Sequence, residues 1–200
     1  MDEIRIVEKP DAFSYDAIHD LLYAAHAVNR ERGFVMRTSL LSGEELEKRI
    51  GRDGKCWVAF DGDKPVGTLS IRIVNRNAWY AKGRIPDYML AGVLPEYSGK
   101  HINSMLAAKA FEYAASHGYT VMELDTADNN DRAISIYRHQ GFRPVGYSAP
   151  KGLDHYSVIM AKWLVKRPVA EGVSGMVFRA KRLYIRTRYK VGGKKRFFEK

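Results

Sequence analysis

The sequence predicts an α/β fold: a mixed central sheet with helices on both faces, followed by a basic C-terminal tail. Three observations carry this. Strand-like and helix-like patterns alternate in the order β-α-α-β-β-β-α-β-α-β-β, as in an α/β sheet rather than segregated layers. Two successive strand patterns flank the short turn Asp61-Gly62-Asp63-Lys64, so a hairpin makes the sheet mixed rather than all parallel. The net charge of +10 on 200 residues is unevenly placed. Residues 1–164 carry 21 Lys/Arg against 21 Asp/Glu, and residues 165–200 carry 12 against two. A charge-neutral body of domain length, residues 1–164, is therefore expected to precede a basic extension, residues 165–200.

Each element has its own signal. Residues 3–8 alternate as a short strand. Ala17, Ile18, Leu21, Leu22, Ala25 and Val28 recur at helical spacing between Ser14 and Arg30. Ser42 with Glu45 forms a capping box ahead of a short helix holding Leu46 and Ile50. Lys55–Phe60 and Pro65–Val74 are the hairpin strands, and Tyr88–Leu94 is an apolar run suited to a buried strand. Ser98–His117 follows the helical period and meets Gly118 at its end. Val121–Thr126 reads as a strand, Asp128–His139 as a helix ended by Gly141, and Arg143–Ser148 and Tyr156–Trp163 as closing strands.

Composition narrows the class. With 46% hydrophobic and 28% charged residues, global disorder is excluded. No apolar run approaches the roughly 18 residues of a membrane span, and the N-terminus lacks the pattern of a secretory signal. Cys56 is the only cysteine, so a disulfide framework and a Cys-based zinc site within the chain are excluded. Beside Trp57 in an apolar strand, it is expected to be core. The expected location is a reducing cytoplasm, and no metal is expected.

Two segments carry chemistry. In the first, the strand Tyr88–Leu94 runs through Pro95 and a polar turn into a helix, with Ser98, Gly99, Lys100, His101, Ile102 and Asn103 at the junction. Unpaired N–H groups and a positive dipole end make such a junction suited to a pyrophosphate. In the second, Asn130 and Tyr137 stand seven residues apart, close to two helical turns, and share a face. Asn130 is also a natural helix cap.

In this order the two segments resemble the GNAT family, the acyl-CoA-dependent N-acetyltransferases, over roughly residues 3–164. The most specific part is Asn-x-x-Ala-x-x-x-Tyr-x-x-x-Gly-Phe, met by Asn130, Ala133, Tyr137, Gly141 and Phe142. The family's phosphate turn usually reads Arg/Gln-x-x-Gly-x-Gly/Ala, where this chain has Ser98, His101 and Asn103 with Gly99 between them. The resemblance implies acetyl-CoA as co-substrate. It implies a bulged strand with Gly92 at or near the bulge, pairing with the donor's arm, and Val93 N–H toward the developing oxyanion. It implies Asn130 on the amide arm and Tyr137 as general acid to the leaving thiolate.

The base that takes the amine's proton has several candidates. Asp87 opens the bulged strand, in parity with Met89, Ala91 and Val93; Glu123 and Asp125 share parity on the next strand; His155 precedes the last. The acceptor is expected between the loops Asn29–Leu41 and Ala149–His155. There Arg30, Arg32, Arg37 and Lys151 suit an anionic amine, such as a phosphorylated or nucleotide-linked amino sugar.

The tail holds a further pattern. Val173, Met176, Val177, Ala180, Leu183 and Tyr184 fall on one helical face with Arg179, Arg182 and Arg186 opposite. Three roles are open to it: packing on the body or on a second subunit, docking on an anionic membrane, and binding RNA. Two function classes follow. One is an N-acetyltransferase acting on a small amine. The other is a non-catalytic scaffold of the same fold that docks through the tail.

Overall fold

The computed structural model describes residues 3–31, 40–149 and 156–165, together with Met176 and Ala180. Arg37, His155, most of the two acceptor loops and nearly all of the basic tail lie outside the described residues. The described elements are β1 (Arg5–Glu8), α1 (Tyr15–Ala25), α2 (Ala27–Glu31), α3 (Gly43–Ile50), β2 (Lys55–Asp61), β3 (Lys64–Ala78), β4 (Ala81–Val93), α4 (Ile102–Ser116), β5 (Val121–Ala127), α5 (Asp131–His139), β6 (Arg143–Ser148) and β7 (Ser157–Trp163). The strands lie in the order β1-β2-β3-β4-β5-β7-β6, and the α/β architecture is as the sequence predicts. No helix among the described residues is long and apolar enough to cross a membrane.

The chain forms two compact units, Met1–Asn75 with Pro86–Tyr119, and Arg76–Ile85 with Thr120–Lys200. In the first unit β1, β2 and β3 pair antiparallel. Helices α1 and α4 flank opposite faces of this sheet. The Trp57 ring meets Tyr113 of α4 at 5.8 Å. Its neighbour Cys56, necessarily on the other face, acts electrostatically on Tyr15 of α1. Ile18 and Leu22 of α1 and Leu106 and Ala110 of α4 are fully buried. Cys56 is buried core as expected, with its thiol pKa pushed up by burial.

Four local expectations are corrected. The strand expected from Tyr88 begins seven residues earlier, at Ala81. Gly83 and Pro86 read as breakers, but a strand tolerates proline where its missing N–H has no ladder partner. Likewise β3 runs on to Ala78, through polar Asn75 and Asn77. The helix expected from Ser98 begins at Ile102, because Pro95–Tyr97 first makes a 3-10 turn. The first helix divides at His26, whose N–H bonds to the carbonyls of Ala24 and Leu22.

The irregular residue of β4 is Leu90, at φ 53°, two residues before Gly92. A left-handed leucine costs roughly 1–2 kcal/mol. Its effect is visible on either side. Tyr88 stacks with Phe111 of α4 at 6.5 Å. Four residues on, in a position that a regular strand would place on the same face, the Cβ direction of Gly92 points into Leu22 and Ala25 of α1. The strand has reversed its faces across Leu90. The parity expected to join Asp87 with Ala91 and Val93 is therefore broken: it extends to Met89 and no further.

Gly92 is thus required by helix packing. A Cβ there would stand 2.9 Å from the Ala25 Cβ and 3.3 Å from Leu22 Cδ2. Gly92→Ala is expected to destabilise the protein by about 1–3 kcal/mol, read as a lower urea midpoint at unchanged slope.

Candidate active site

The first unit contains the turn expected to meet the donor's phosphates. Ser98 ends the 3-10 turn, Gly99 takes φ 82°, and His101 takes φ 59° at the N-cap of α4. The family's glycine position is held by histidine, yet the backbone keeps a glycine-like conformation. Helix α4 starts with no side-chain cap and no acid in its first turn. Nothing stands within 4 Å of the Cβ direction of Gly99. The Lys100 ammonium lies 4.3 Å from the centre of the Tyr97 ring. Ile102 is buried in the core, and Asn103 Oδ1 accepts a long bond from the Tyr88 hydroxyl at 3.5 Å. An open, uncapped helix start with a cation nearby fits a pyrophosphate.

Helix α5, in the second unit, starts differently. Asn130 is its N-cap, its Oδ1 accepting from Ala133 N–H at 3.1 Å, and Asp131 occupies the first turn. Tyr137 sits half-buried two turns on, its ring edge-on to Phe142 at 6.1 Å. Burial, and then the charge of Asp125, push the Tyr137 hydroxyl up to about 12. The group is a neutral O–H throughout the physiological range, the form a proton donor needs. Asp125 is the one exposed residue of β5, and its strand neighbours on both sides are buried.

The other carboxylates are committed. Asp87, 4% exposed, accepts from Nε and Nη2 of Arg72, both at 2.8 Å. Glu123, 2% exposed, accepts from Arg76 Nε at 2.6 Å on one oxygen and from the Tyr80 hydroxyl at 2.7 Å on the other. Burial and then the bond to Glu123 push the Tyr80 hydroxyl up. Such a buried carboxylate is held in place by its partners. Arg30, expected to meet the acceptor, lies 3.6 Å over the Tyr23 ring and donates to the Tyr23 carbonyl. Gly92 and Val93 lie in β4 beyond the reversal at Leu90. Among the described residues no three His, Cys, Asp or Glu side chains gather as a metal site.

Sequence reasoning missed the groups that hold these carboxylates. Arg72, Arg76 and Tyr80 are 15, 47 and 43 residues from their partners, and no short-range pattern links them. It also missed His26, read only as part of an amphipathic helix. The structure places its Nε2 3.7 Å from the Cβ direction of Gly92 and its Nδ1 3.2 Å from the side-chain nitrogen of Asn29.

Burial and, secondarily, Arg30 lower the His26 pKa to about 4. Folded His26 stays neutral below the pH at which the unfolded chain protonates it. Stability is therefore lost as pH falls from about 6.5 to about 4, up to about 3 kcal/mol. His26→Gln, which cannot titrate, is expected to flatten that part of a denaturant-midpoint profile against pH.

Comparison with known proteins follows the same lines. Residues 16–142 match the Acetyltransferase (GNAT) family. No curated protein matches the chain. Among solved structures, a GNAT-family acetyltransferase from Staphylococcus aureus Mu50 is similar at TM-score 0.62 and 18% identity, over 82% of this chain and 100% of that one. The ribosomal-protein-S18-alanine N-acetyltransferase of Escherichia coli gives TM-score 0.63 and 15% identity, over 82% and 96%. An aminoglycoside 6′-N-acetyltransferase complexed with coenzyme A gives 0.56 and 17%, over 82% and 99%. At these identities the structures speak for the fold, and the family match covers well over half of the chain. The chain therefore belongs to the GNAT family of acetyltransferases, acyltransferases whose acyl donor is acetyl-CoA.

Proposed function

We propose that the protein transfers an acetyl group from acetyl-CoA to a primary amine of a small molecule by direct attack, with Tyr137 as the general acid. The observation that carries this is Tyr137 itself. It is a half-buried hydroxyl kept protonated to about 12, on the helix that bears the family motif. The thioester supplies an activated carbonyl. The amine nitrogen bonds to that carbon, the C–S bond breaks, and the departing sulfur takes the Tyr137 proton. The amine's own proton leaves to a base, directly or through water.

Asp125 is the best supported of the expected acidic groups on the acceptor side. Asp87 and Glu123 are neutralised by arginines, whereas Asp125 is exposed and acts electrostatically on Tyr137. An exposed carboxylate attracts an ammonium. The phosphate turn Ser98–Asn103 and the start of α4 would hold the donor's pyrophosphate, and Val93 N–H would face the oxyanion. With Arg30 laid on Tyr23, the case for an anionic acceptor rests on Arg32, Arg37 and Lys151 outside the described residues. Similar structures are named for acceptors as different as a ribosomal protein and an aminoglycoside, so fold does not choose between amines. Residues 1–164 form the catalytic body in this reading, and residues 165–200 are an extension that packs on that body or on a second copy, or docks on an anionic membrane or RNA.

Binding is tested first. Acetyl-CoA at 100 times its dissociation constant should stabilise the protein by about 2.7 kcal/mol, and the absence of any thermal shift at millimolar acetyl-CoA would sink the proposal. Across a panel of amines that includes amino sugars, Tyr137→Phe is expected to lower kcat by about 100-fold or more, with the KM for acetyl-CoA within about twofold. Retention of wild-type kcat would remove Tyr137 as the acid. Because His101 holds a left-handed conformation, His101→Gly should relieve about 1 kcal/mol of strain. Calorimetry should show acetyl-CoA binding at least as tightly to this variant as to the wild type.

A further inference from the structure

Trp79 and Tyr80 alone join β3 to β4, as a two-residue turn. Such turns favour Asn, Asp and Gly, so two bulky aromatics here run against the local rule. The second unit holds the pair firmly. The Tyr80 hydroxyl donates to Glu123 at 2.7 Å, and Arg76 Nε donates to the same carboxylate at 2.6 Å. The Trp79 indole N–H donates to the Val145 carbonyl at 3.1 Å. Its ring lies 5.8 Å from that of Tyr80 and 6.4 Å from that of Trp163. Yet Trp79 is 48% exposed. A large aromatic that is held in place and half in water loses little conformational entropy on contact, which suits an anchor. Val165, two residues past Trp163, is 44% exposed, and Lys82 and Arg84, just after the turn, are exposed as well.

At Val165 the chain enters its basic extension, where residues 165–200 carry 12 Lys/Arg against two acids. Met176 and Ala180 of that extension are helical and exposed, Met176 at 74%. Both belong to the apolar face that the sequence pattern draws through the tail, with arginines opposite. Apolar groups and cations offered to solvent by one unit select a partner. A lipid interface answers both: tryptophan settles at the headgroup level, aliphatic side chains reach the acyl chains, and cations meet anionic headgroups. A second copy would bring the same cations to the contact, and they would repel. An RNA would answer the cations and the Trp79 ring but leave Val165 and Met176 without a partner. We propose that the tip of the β3–β4 hairpin, anchored by Trp79, and the basic tail form a docking surface for an anionic lipid membrane. The proposal goes beyond the acyl-transfer reading and does not rest on it, because Trp79 has no part in that chemistry.

The test mixes the full-length protein with vesicles of phosphatidylcholine alone or of equal parts phosphatidylcholine and phosphatidylglycerol. Co-sedimentation is expected with the anionic vesicles only, weakening as salt is added. Brominated acyl chains in those vesicles should quench the tryptophan fluorescence of the bound wild type. Trp57 is buried, so this signal reports Trp79 and Trp163. Trp79→Ala should weaken anionic-vesicle binding by about tenfold or more. The proposal is overturned if the wild type ignores anionic vesicles at low salt, or binds neutral ones equally. It is overturned too if binding occurs without quenching, or if Trp79→Ala binds within about twofold of wild type, since the tail then acts alone. Trp79-dependent binding of a single-stranded oligoribonucleotide, or Trp79-dependent dimerisation in analytical ultracentrifugation, with vesicles ignored, overturns it in favour of those partners. Should Trp79→Ala fail to fold, Lys82→Glu on the exposed flank of the turn takes its place. It should weaken anionic-vesicle binding by about fivefold or more, and unchanged binding overturns the proposal.

Discussion

The first unit is organised by the left-handed backbone of Leu90 inside β4. A β-strand alternates its side chains strictly, so a residue facing α4 commits every second residue to that face. Leu90 breaks this rule at a cost of roughly 1–2 kcal/mol, and burial of its side chain to 5% exposure offsets that cost. Tyr88 packs on α4, while Gly92 gives way to α1. The glycine follows from the reversal: once position 92 faces α1, only hydrogen leaves room for Ala25. The path of β4 past the bulge, the seat of α1 and the lodging of His26 beside Gly92 all descend from that one backbone angle.

The two helix starts that carry family motifs are electrostatic opposites. Helix α4 has neither cap nor acid, and a left-handed pair of turn residues precedes it. Such an uncapped, acid-free start suits an external anion. Helix α5 is capped by Asn130 and carries Asp131 in its first turn, so its own residues answer its dipole. The first suits an external anion, and the second is already answered by its own side chains. Identical secondary structure thus takes different chemical roles through two or three side chains.

Charge pairing sorts the carboxylates in the same way. Asp87 and Glu123 are the most buried acids described, and each is held by an arginine. Burying them unpaired would cost several kcal/mol, so the arginines are the condition of their burial. Asp125, two residues from Glu123 on the same strand, escapes this because its side chain is exposed. It keeps a free field, which is felt by Tyr137.

Much of the fold was legible because it rests on local rules. The Ser42–Glu45 capping box, the turn at Gly62, the glycine after α4 and the period of α5 are encoded within a few residues, and the structure holds each of them. The motif residues Asn130, Ala133 and Tyr137 were legible for the same reason, as was the buried character of Cys56. The length of β3 and β4 was not, because Asn75, Asn77, Gly83 and Pro86 oppose strand formation locally and are overridden by pairing with neighbours distant in sequence. The sequence by itself determined which residues are candidates for chemistry here: Tyr137, three carboxylates, a glycine-bearing turn and Asn130. Only tertiary structure decided which of them remain available. Arg72, Arg76 and Tyr80 reach Asp87 and Glu123 across 15 to 47 residues of chain, and electrostatic availability depends on distance in space rather than in sequence.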